Sequence, residues 1–237
     1  MFVPIGYGFN PAWIAIMVIS LILGLATQGY INRAFRKWSR VPLNSGMTGA
    51  QVAQRVLAAN GVQSLEIRPV GGNLSDNYDP RTKVLNLSQG VYGASSVAAA
   101  GVAAHEAGHA VQDANHYAWG TIRSALVPAA NLGSKMSWIM IFAGIVFLAG
   151  TTLGYWVVWL GIAFFALAVL FQLVTLPVEF DASRRALATL ESSGTLDPTQ
   201  LSGAREVLTA AALTYVAAAL IASLQLLYFI GLGSRRR

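Results

Sequence analysis

Four long apolar stretches constrain the fold of this 237-residue chain more than any other feature of its sequence. They occupy about residues 11–29, 136–151, 153–176 and 209–232. A helix needs roughly 17 to 25 residues to cross about 30 Å of hydrocarbon. Only 11% of the residues are charged, whereas about 25% is typical of soluble domains. We therefore predict a predominantly α membrane protein with about four transmembrane helices, of which the middle two form a hairpin.

The segment between the first two stretches is more polar and contains most of the turn residues, which predicts an extramembrane α+β domain. Thr48 and Gln51 have the spacing of a capping box, and Gly61 suits the end of the helix that follows. The expected elements are a helix at 48–60, strands at 62–70 and 83–88, and an alanine-rich helix at 95–115. The second strand is expected either to lie at a sheet edge, where an extended peptide can pair with it, or to cover the core.

The alanine-rich helix contains the pattern HExxH, formed by His105, Glu106 and His109. Two histidines four positions apart stand on one face of a helix and can reach one zinc ion. The glutamate between them projects beside the metal and can take a proton from a bound water. Because the chain has only three histidines, chance gives on the order of 0.001 matches to this pattern. That number disfavours the alternative of two purely structural histidines.

A catalytic zinc ion usually has three protein ligands, and cysteine is absent from this chain, so the third ligand must supply nitrogen or oxygen. The longer pattern HExxHxxGxxH fails, because Gln112 and Asn115 stand at its glycine and its last histidine. His116 comes one position late. We expect it to be a polar residue at the helix end, with contact to zinc or substrate as the alternative.

Glu179, which follows the predicted hairpin, is the favoured third ligand. Two crossings return the chain to the side on which His109 lies, and Pro177 suits the first turn of a new helix. Asp181 is a second candidate, but on a helix the two acids point about 200° apart, so only one can face the metal. The alternative is that both are solvated acids near a helix N-terminus.

Tyr78 and Tyr92 are candidates for contact with the substrate. Either hydroxyl could donate a hydrogen bond to the oxyanion that develops during attack on a carbonyl. The more common role of a tyrosine is to pack its ring and leave its hydroxyl in water, and this alternative is favoured for both.

The basic residues lie beside the apolar stretches, which predicts contact with the lipid bilayer and no nucleic-acid partner. Cytoplasmic loops are rich in Lys and Arg. The polar domain is therefore predicted to face the cytoplasm, because the first stretch is followed by Arg33, Arg36, Lys37 and Arg40. Arg184 and Arg185 place the segment after the hairpin on the same side. Four full crossings would leave residues 235–237, all arginine, outside, so either the last stretch is not a simple crossing or the rule fails there.

Several local motifs resemble the membrane-bound neutral zinc metallopeptidases of the YugP type, and more distantly the CaaX prenyl proteases and heat-shock membrane proteases. The similar runs are GMTG at 46–49, LSDNYDPR at 74–81, LS at 87–88, HEAGH at 105–109 and LPVEFDAS at 176–183. The resemblance implies one zinc ion on His105, His109 and Glu179, with Glu106 as the base. The prenyl-protease group has an aspartate four residues after its glutamate, where this chain has Ser183, and a histidine was expected at Asn77.

Together these features predict a zinc-dependent endopeptidase with a gluzincin-like catalytic domain, acting at the membrane-cytosol interface of the cell membrane on peptide or protein substrates, membrane proteins among them. The alternative is a non-catalytic, zinc-containing membrane scaffold or chaperone. The predicted segments are an anchor at 1–30, a zinc-peptidase domain at 31–135, a transmembrane hairpin at 136–176, a helix with the third ligand at 177–208, and a last transmembrane helix with a basic tail at 209–237.

Overall fold

The computed structural model describes residues 11–72 and 75–234. Expectations that concern residues 1–10, Leu74 and the basic tail at 235–237 lie outside these described residues. The chain forms two compact units. The described part of the first comprises residues 11–26, 122–174 and 215–234, and the second comprises 27–121 and 175–214.

The described residues form seven helices and three short strands. The helices are α1 Pro11–Trp38, α2 Gly49–Ala59, α3 Gln89–Tyr92, α4 Val97–Ala114, α5 Ala118–Val146, α6 Thr152–Ser192 and α7 Pro198–Ser234. The strands are β1 Glu66–Val70, β2 Asn77–Asp79 and β3 Val84–Ser88. The predicted predominance of helix is confirmed, and so is the presence of a small β component.

Four of the helices, α1, α5, α6 and α7, are long and apolar enough to cross a membrane. They overlap the four predicted stretches, and each includes polar turns beyond the apolar part. Hydropathy detects only the apolar part of a helix, whereas the polar turns that continue it are stabilised by packing and by side-chain contacts. The prediction of four helices long and apolar enough to span a membrane is therefore confirmed. The predicted bounds differ most for the second, because α5 begins at Ala118 and ends at Val146, before the predicted end at 151.

The prediction that Pro177 begins a new helix is wrong, because Pro177 lies inside α6. A proline in a helix interior leaves the carbonyl four residues earlier without its main-chain donor, so the helix continues only where contacts with other elements hold it. Here the Tyr117 hydroxyl donates to the carbonyl oxygen of Pro177 at 3.5 Å, and Gln112 Nε2 donates to that of Val178 at 2.8 Å. These partners come from residues distant in sequence, which a local reading cannot detect.

The three strands form one sheet in the order β1-β3-β2. β3 pairs in parallel with β1 and antiparallel with β2, so it is the central strand and the expectation of an edge strand at 83–88 is wrong. No strand pattern is visible for β2, because its three residues lie among turn formers. The first strand is also shorter than predicted, since Ser64 adopts a positive φ of 61° and interrupts an extended chain before Glu66.

The second unit has a core in which small residues let helices approach closely. α2 begins as predicted, with the Thr48–Gln51 capping box complete. α4 is buried along most of its length, and most of its buried residues are alanines and glycines. A Cβ atom on Gly108 would lie 2.7 Å from the carbonyl oxygen of Ala182 in α6. Only glycine permits this contact, which brings the two helices of the functional site together.

The first unit contains an aromatic cluster formed by Trp13, Trp138, Phe165 and Phe229. The ring of Phe229 lies 5.4 to 5.5 Å from the other three by centroid distance. Edge-on and tilted contacts of this kind are favourable between aromatic rings. They pack side chains from all four apolar helices against one another.

Candidate metal centre

His105, His109 and Glu179 converge in the second unit, although 70 residues separate the second histidine from the glutamate. Glu179 Oε2 lies 3.3 Å from His105 Nε2 and 3.6 Å from His109 Nε2. Ligand atoms at the corners of a zinc tetrahedron, with bonds of about 2.0 to 2.2 Å, are about 3.3 to 3.6 Å apart. The three side chains therefore have the separation and the donor types of a catalytic zinc site.

The tautomer of His109 can be derived from its contact with Gln112. The Gln112 amide nitrogen donates to the Val178 carbonyl at 2.8 Å and to Asp181 Oδ2 at 2.9 Å, and both partners can only accept. This fixes the amide orientation, so Gln112 Oε1 faces His109 Nδ1 at 3.0 Å and must accept a hydrogen from it. In the neutral ring, Nε2 then presents its lone pair to the Glu179 carboxylate. A proton on Nε2 or a metal cation between these two electron-rich atoms removes their repulsion.

His105 has an equivalent outer contact, because its Nδ1 atom lies 3.0 Å from Ser183 Oγ. Histidines that bind a metal usually contact a carboxylate, carbonyl or water through their other nitrogen, which fixes the ring orientation. In this chain the hydroxyl of Ser183 occupies that position.

Asp181 is buried on another side of α6 and does not join the group of potential ligands. Its carboxylate accepts hydrogen bonds from Gln112 and Arg185 at 2.9 and 2.5 Å, and also pairs with Arg184. The structure therefore separates the two acids as the helical angle predicts. Asp181 contacts His109 only through Gln112.

Glu106 accepts a hydrogen bond at 3.1 Å from the main-chain N–H of Tyr78. Tyr78 lies in the edge strand β2 opposite Leu85 of β3. Alternate residues of an edge strand direct their main-chain groups away from the sheet. The contact with Glu106 shows that Tyr78 is such a residue and that this edge faces α4.

The Tyr78 hydroxyl donates to Asp113 Oδ2 at 2.6 Å, and Lys83 pairs with the same carboxylate. Burial opposes ionisation of Asp113, but the bonds from Lys83 and Tyr78 outweigh it and hold its pKa below the usual value. Burial, followed by the neighbouring Asp113, raises the pKa of Tyr78. The Tyr78 hydroxyl, a candidate donor to an oxyanion, is thus bound to a carboxylate, and it holds β2 against α4.

The electrostatics of the site favour a positive charge at His109. Burial alone would lower the pKa of this histidine. The hydrogen bond with Glu179 and the negative charge of Glu106 outweigh burial and raise the pKa above its usual value. A metal cation would satisfy the same two carboxylates.

The structure places the other two candidates apart from the three potential ligands. Tyr92 ends α3 and packs against the hydrophobic core of the second unit. His116 follows α4 with a positive φ of 50°, and its main-chain N–H donates to the carbonyl of Asp113. Among the described residues, the group that could jointly hold a metal consists of His105, His109 and Glu179, without His116.

Gln112 and Asp113 are the residues that the sequence analysis missed. Gln112 was compared only with the glycine of a longer zinc motif. Residues three apart lie on one helix face, so its spacing from His109 was a signal that a polar partner could stand there. Asp113 lies seven residues after Glu106, two helical turns along the same face.

Comparison with known proteins agrees with this geometry. The sequence model of a family described as "Putative neutral zinc metallopeptidase" matches residues 13–234. The chain belongs to this neutral zinc metallopeptidase family. It is also 41% identical over 219 residues to the "Putative membrane protease YugP" of Bacillus subtilis (strain 168), which covers 92% of this chain and 95% of that protein. No solved structure matches the chain.

Membership of the family implies zinc, and the two imidazoles and one carboxylate described above fit this metal. The family and the relative's printed name indicate a protease associated with a membrane, in agreement with the four apolar helices.

Proposed function

We propose that this protein is a membrane-embedded, zinc-dependent endopeptidase with one zinc ion per chain, held by His105, His109 and Glu179. The convergence of these three ligand atoms within 4.8 Å of one another supports the proposal most strongly. Two histidines from one helix and a glutamate from a second helix form the ligand arrangement of the gluzincins. Membership of a protease family, together with the HExxH motif, supports this assignment.

Bound zinc would supply a water of lowered pKa and polarise the carbonyl of the scissile peptide bond. Glu106 takes the proton of that water and passes it to the amine that leaves. The hydrogen bond from the Tyr78 N–H orients the Glu106 carboxylate and leaves its other oxygen for the proton. Gln112 and Ser183 hold the two histidine rings so that each Nε2 faces the ligand group.

The substrate is proposed to bind as an extended peptide along the outer edge of β2, which faces α4. Main-chain groups of an edge strand can pair with the backbone of a peptide, so this binding depends little on the peptide's sequence. Tyr78 is in this strand and contacts the proposed base, so a peptide paired with β2 would have its backbone beside Glu106.

The segments given above remain our proposal for the functional units, except that the third ligand lies within α6 and not on a separate helix at 177–208. The catalytic side is proposed to face the cytoplasm. The basic residues after the first apolar stretch support this orientation. The site would then lie at the membrane-cytosol interface, with membrane proteins among its substrates.

A Glu106→Gln variant of the purified full chain tests the function. It should keep its zinc and lose about 10²- to 10⁴-fold in the rate of peptide cleavage, because a base and not a ligand is removed. Zinc in the wild-type protein without cleavage of any peptide or membrane-protein substrate would favour the non-catalytic scaffold or chaperone. Undiminished cleavage by the variant would exclude Glu106 as the base.

A further inference from the structure

A cavity of about 410 Å³ lies between α6 and α7 in the second unit. Its lining residues fall within 180–191 and 205–212 at spacings of three and four, so each helix presents one face to it. Most of the lining is apolar, with Phe180 and Leu187 from α6 and Leu208 and Ala212 from α7. Such a surface suits a hydrocarbon chain.

The polar lining carries a net positive charge. Arg184 and Arg205 contribute two guanidinium groups against the single carboxylate of Glu191. The Arg184 side chain is 76% exposed even though it pairs with Asp181, and Arg205 is also exposed. Thr209 adds a hydroxyl. Guanidinium groups bind phosphate through paired hydrogen bonds, so an anion can reach this part of the lining from solvent.

The sequence position of the cavity indicates where such an anion comes from. The apolar stretch of α6 ends at about residue 176, shortly before the cavity, and that of α7 begins at about residue 209, within it. The cavity therefore forms where two candidate membrane spans change from apolar to polar. This change marks the headgroup level of a bilayer, where basic pockets between helices bind anionic lipids.

The cavity adjoins the outer side of the candidate metal centre. Ser183 lines the cavity and contacts Nδ1 of His105, whereas Nε2 of the same ring faces Glu179. A molecule in the cavity would thus lie behind the histidine, on the side of its ring away from Glu179. This arrangement favours a lipid over a side chain of the peptide being cleaved.

From the apolar lining, the two arginines and the position beside the spans, we propose that the cavity binds an anionic phospholipid. Its phosphate is held by Arg184 and Arg205, and one acyl chain lies on Phe180 and Leu208. This binding is independent of the proposed peptidase activity, because it requires neither zinc nor Glu106.

Native mass spectrometry of the full chain in detergent, with added phosphatidylglycerol or phosphatidylcholine, tests the proposal. Phosphatidylglycerol should bind saturably and more tightly than phosphatidylcholine of the same chain length. Arg205→Ala should weaken phosphatidylglycerol binding about fivefold, as expected for one basic residue near a lipid phosphate. Ala188→Phe should also weaken it, because Ala188 is an exposed lining residue and the larger side chain fills the cavity without removing a charge.

Arg33→Ala is the matched control, because Arg33 is an exposed arginine of α1 outside the cavity lining. The control should bind phosphatidylglycerol as the wild type does. Equal binding of the two lipids, or equal effects of Arg205→Ala and Arg33→Ala, would overturn the proposal. It would also be overturned if Arg205→Ala and Ala188→Phe left lipid binding intact but raised KM for a peptide, since the cavity would then hold substrate.

Discussion

Gln112 accepts a hydrogen bond from Nδ1 of His109 at 3.0 Å, and its own amide nitrogen is held by two acceptors on α6. This single side chain fixes which nitrogen of the histidine is available to a metal. It also connects α4 with the helix that carries Glu179. The relationship makes Gln112 a positioning residue whose effect is measurable.

Replacement of Gln112 by alanine should weaken zinc binding about 10- to 100-fold, as expected when the outer partner of a ligand histidine is lost. Competition with a chelator measures the affinity. Gln51→Ala is a suitable control, because Gln51 is exposed and serves only the cap of α2. Unchanged zinc affinity in Gln112→Ala would exclude the proposed orientation of His109.

The contact between β2 and α4 gives a second prediction. Tyr78→Phe removes the hydroxyl that binds Asp113 but keeps the main-chain N–H that binds Glu106. It should lower kcat/KM for a peptide by about tenfold or less, because the hydroxyl bonds Asp113 and not the base, so only part of the about 1.5 to 3 kcal/mol of that hydrogen bond affects the transition state. Zinc content should not change. A loss as large as that of Glu106→Gln would instead assign the hydroxyl to catalysis.

A third prediction concerns Gly108, where a Cβ atom would lie 2.7 Å from the Ala182 carbonyl oxygen. Gly108→Ala should destabilise the protein by about 1 to 3 kcal/mol, because α4 and α6 must separate. Thermal unfolding in detergent measures the change. Gly101→Ala in the same helix is the control, since its nearest contact would be an ordinary 3.4 Å and alanine favours a helix. If both variants had the same unfolding temperature, α4 and α6 would not be in tight contact at Gly108.

The fourth prediction concerns sidedness, and the absence of cysteine from the chain makes it simple to test. A cysteine in place of the exposed Gly90 should react with an impermeant thiol reagent only from the cytoplasmic side. Reaction from the outside in intact cells would invert the proposed orientation, and the substrates would then lie in the opposite compartment.

The sequence predicted the features that depend on local pattern. Helices such as α2 and α4 carry their caps and periodicity in a few consecutive residues, and the spacing of His105 and His109 follows from one helical turn. Glu179 could be proposed because the hairpin returns the chain to the same side. These inferences needed no knowledge of packing.

Other features depend on contacts between distant residues and could not be predicted in this way. Pro177 lies inside α6, next to carbonyls that accept hydrogen bonds from Gln112 and Tyr117 of distant segments. β2 is too short to show a strand pattern, yet it makes β3 the central strand. The Tyr78 hydroxyl binds Asp113, which is 35 residues away in sequence.

The most direct test of the proposed metal centre is the zinc content of the purified chain and of its Glu179→Gln variant. The wild type should contain about one zinc ion per chain, as expected for a site with three protein ligands. Glu179→Gln should lose most of it, because the amide has no negative charge to balance the ion. Glu191→Gln, an exposed residue of the same helix, should keep it. Full zinc content in Glu179→Gln would contradict the account, because the third ligand would then lie elsewhere.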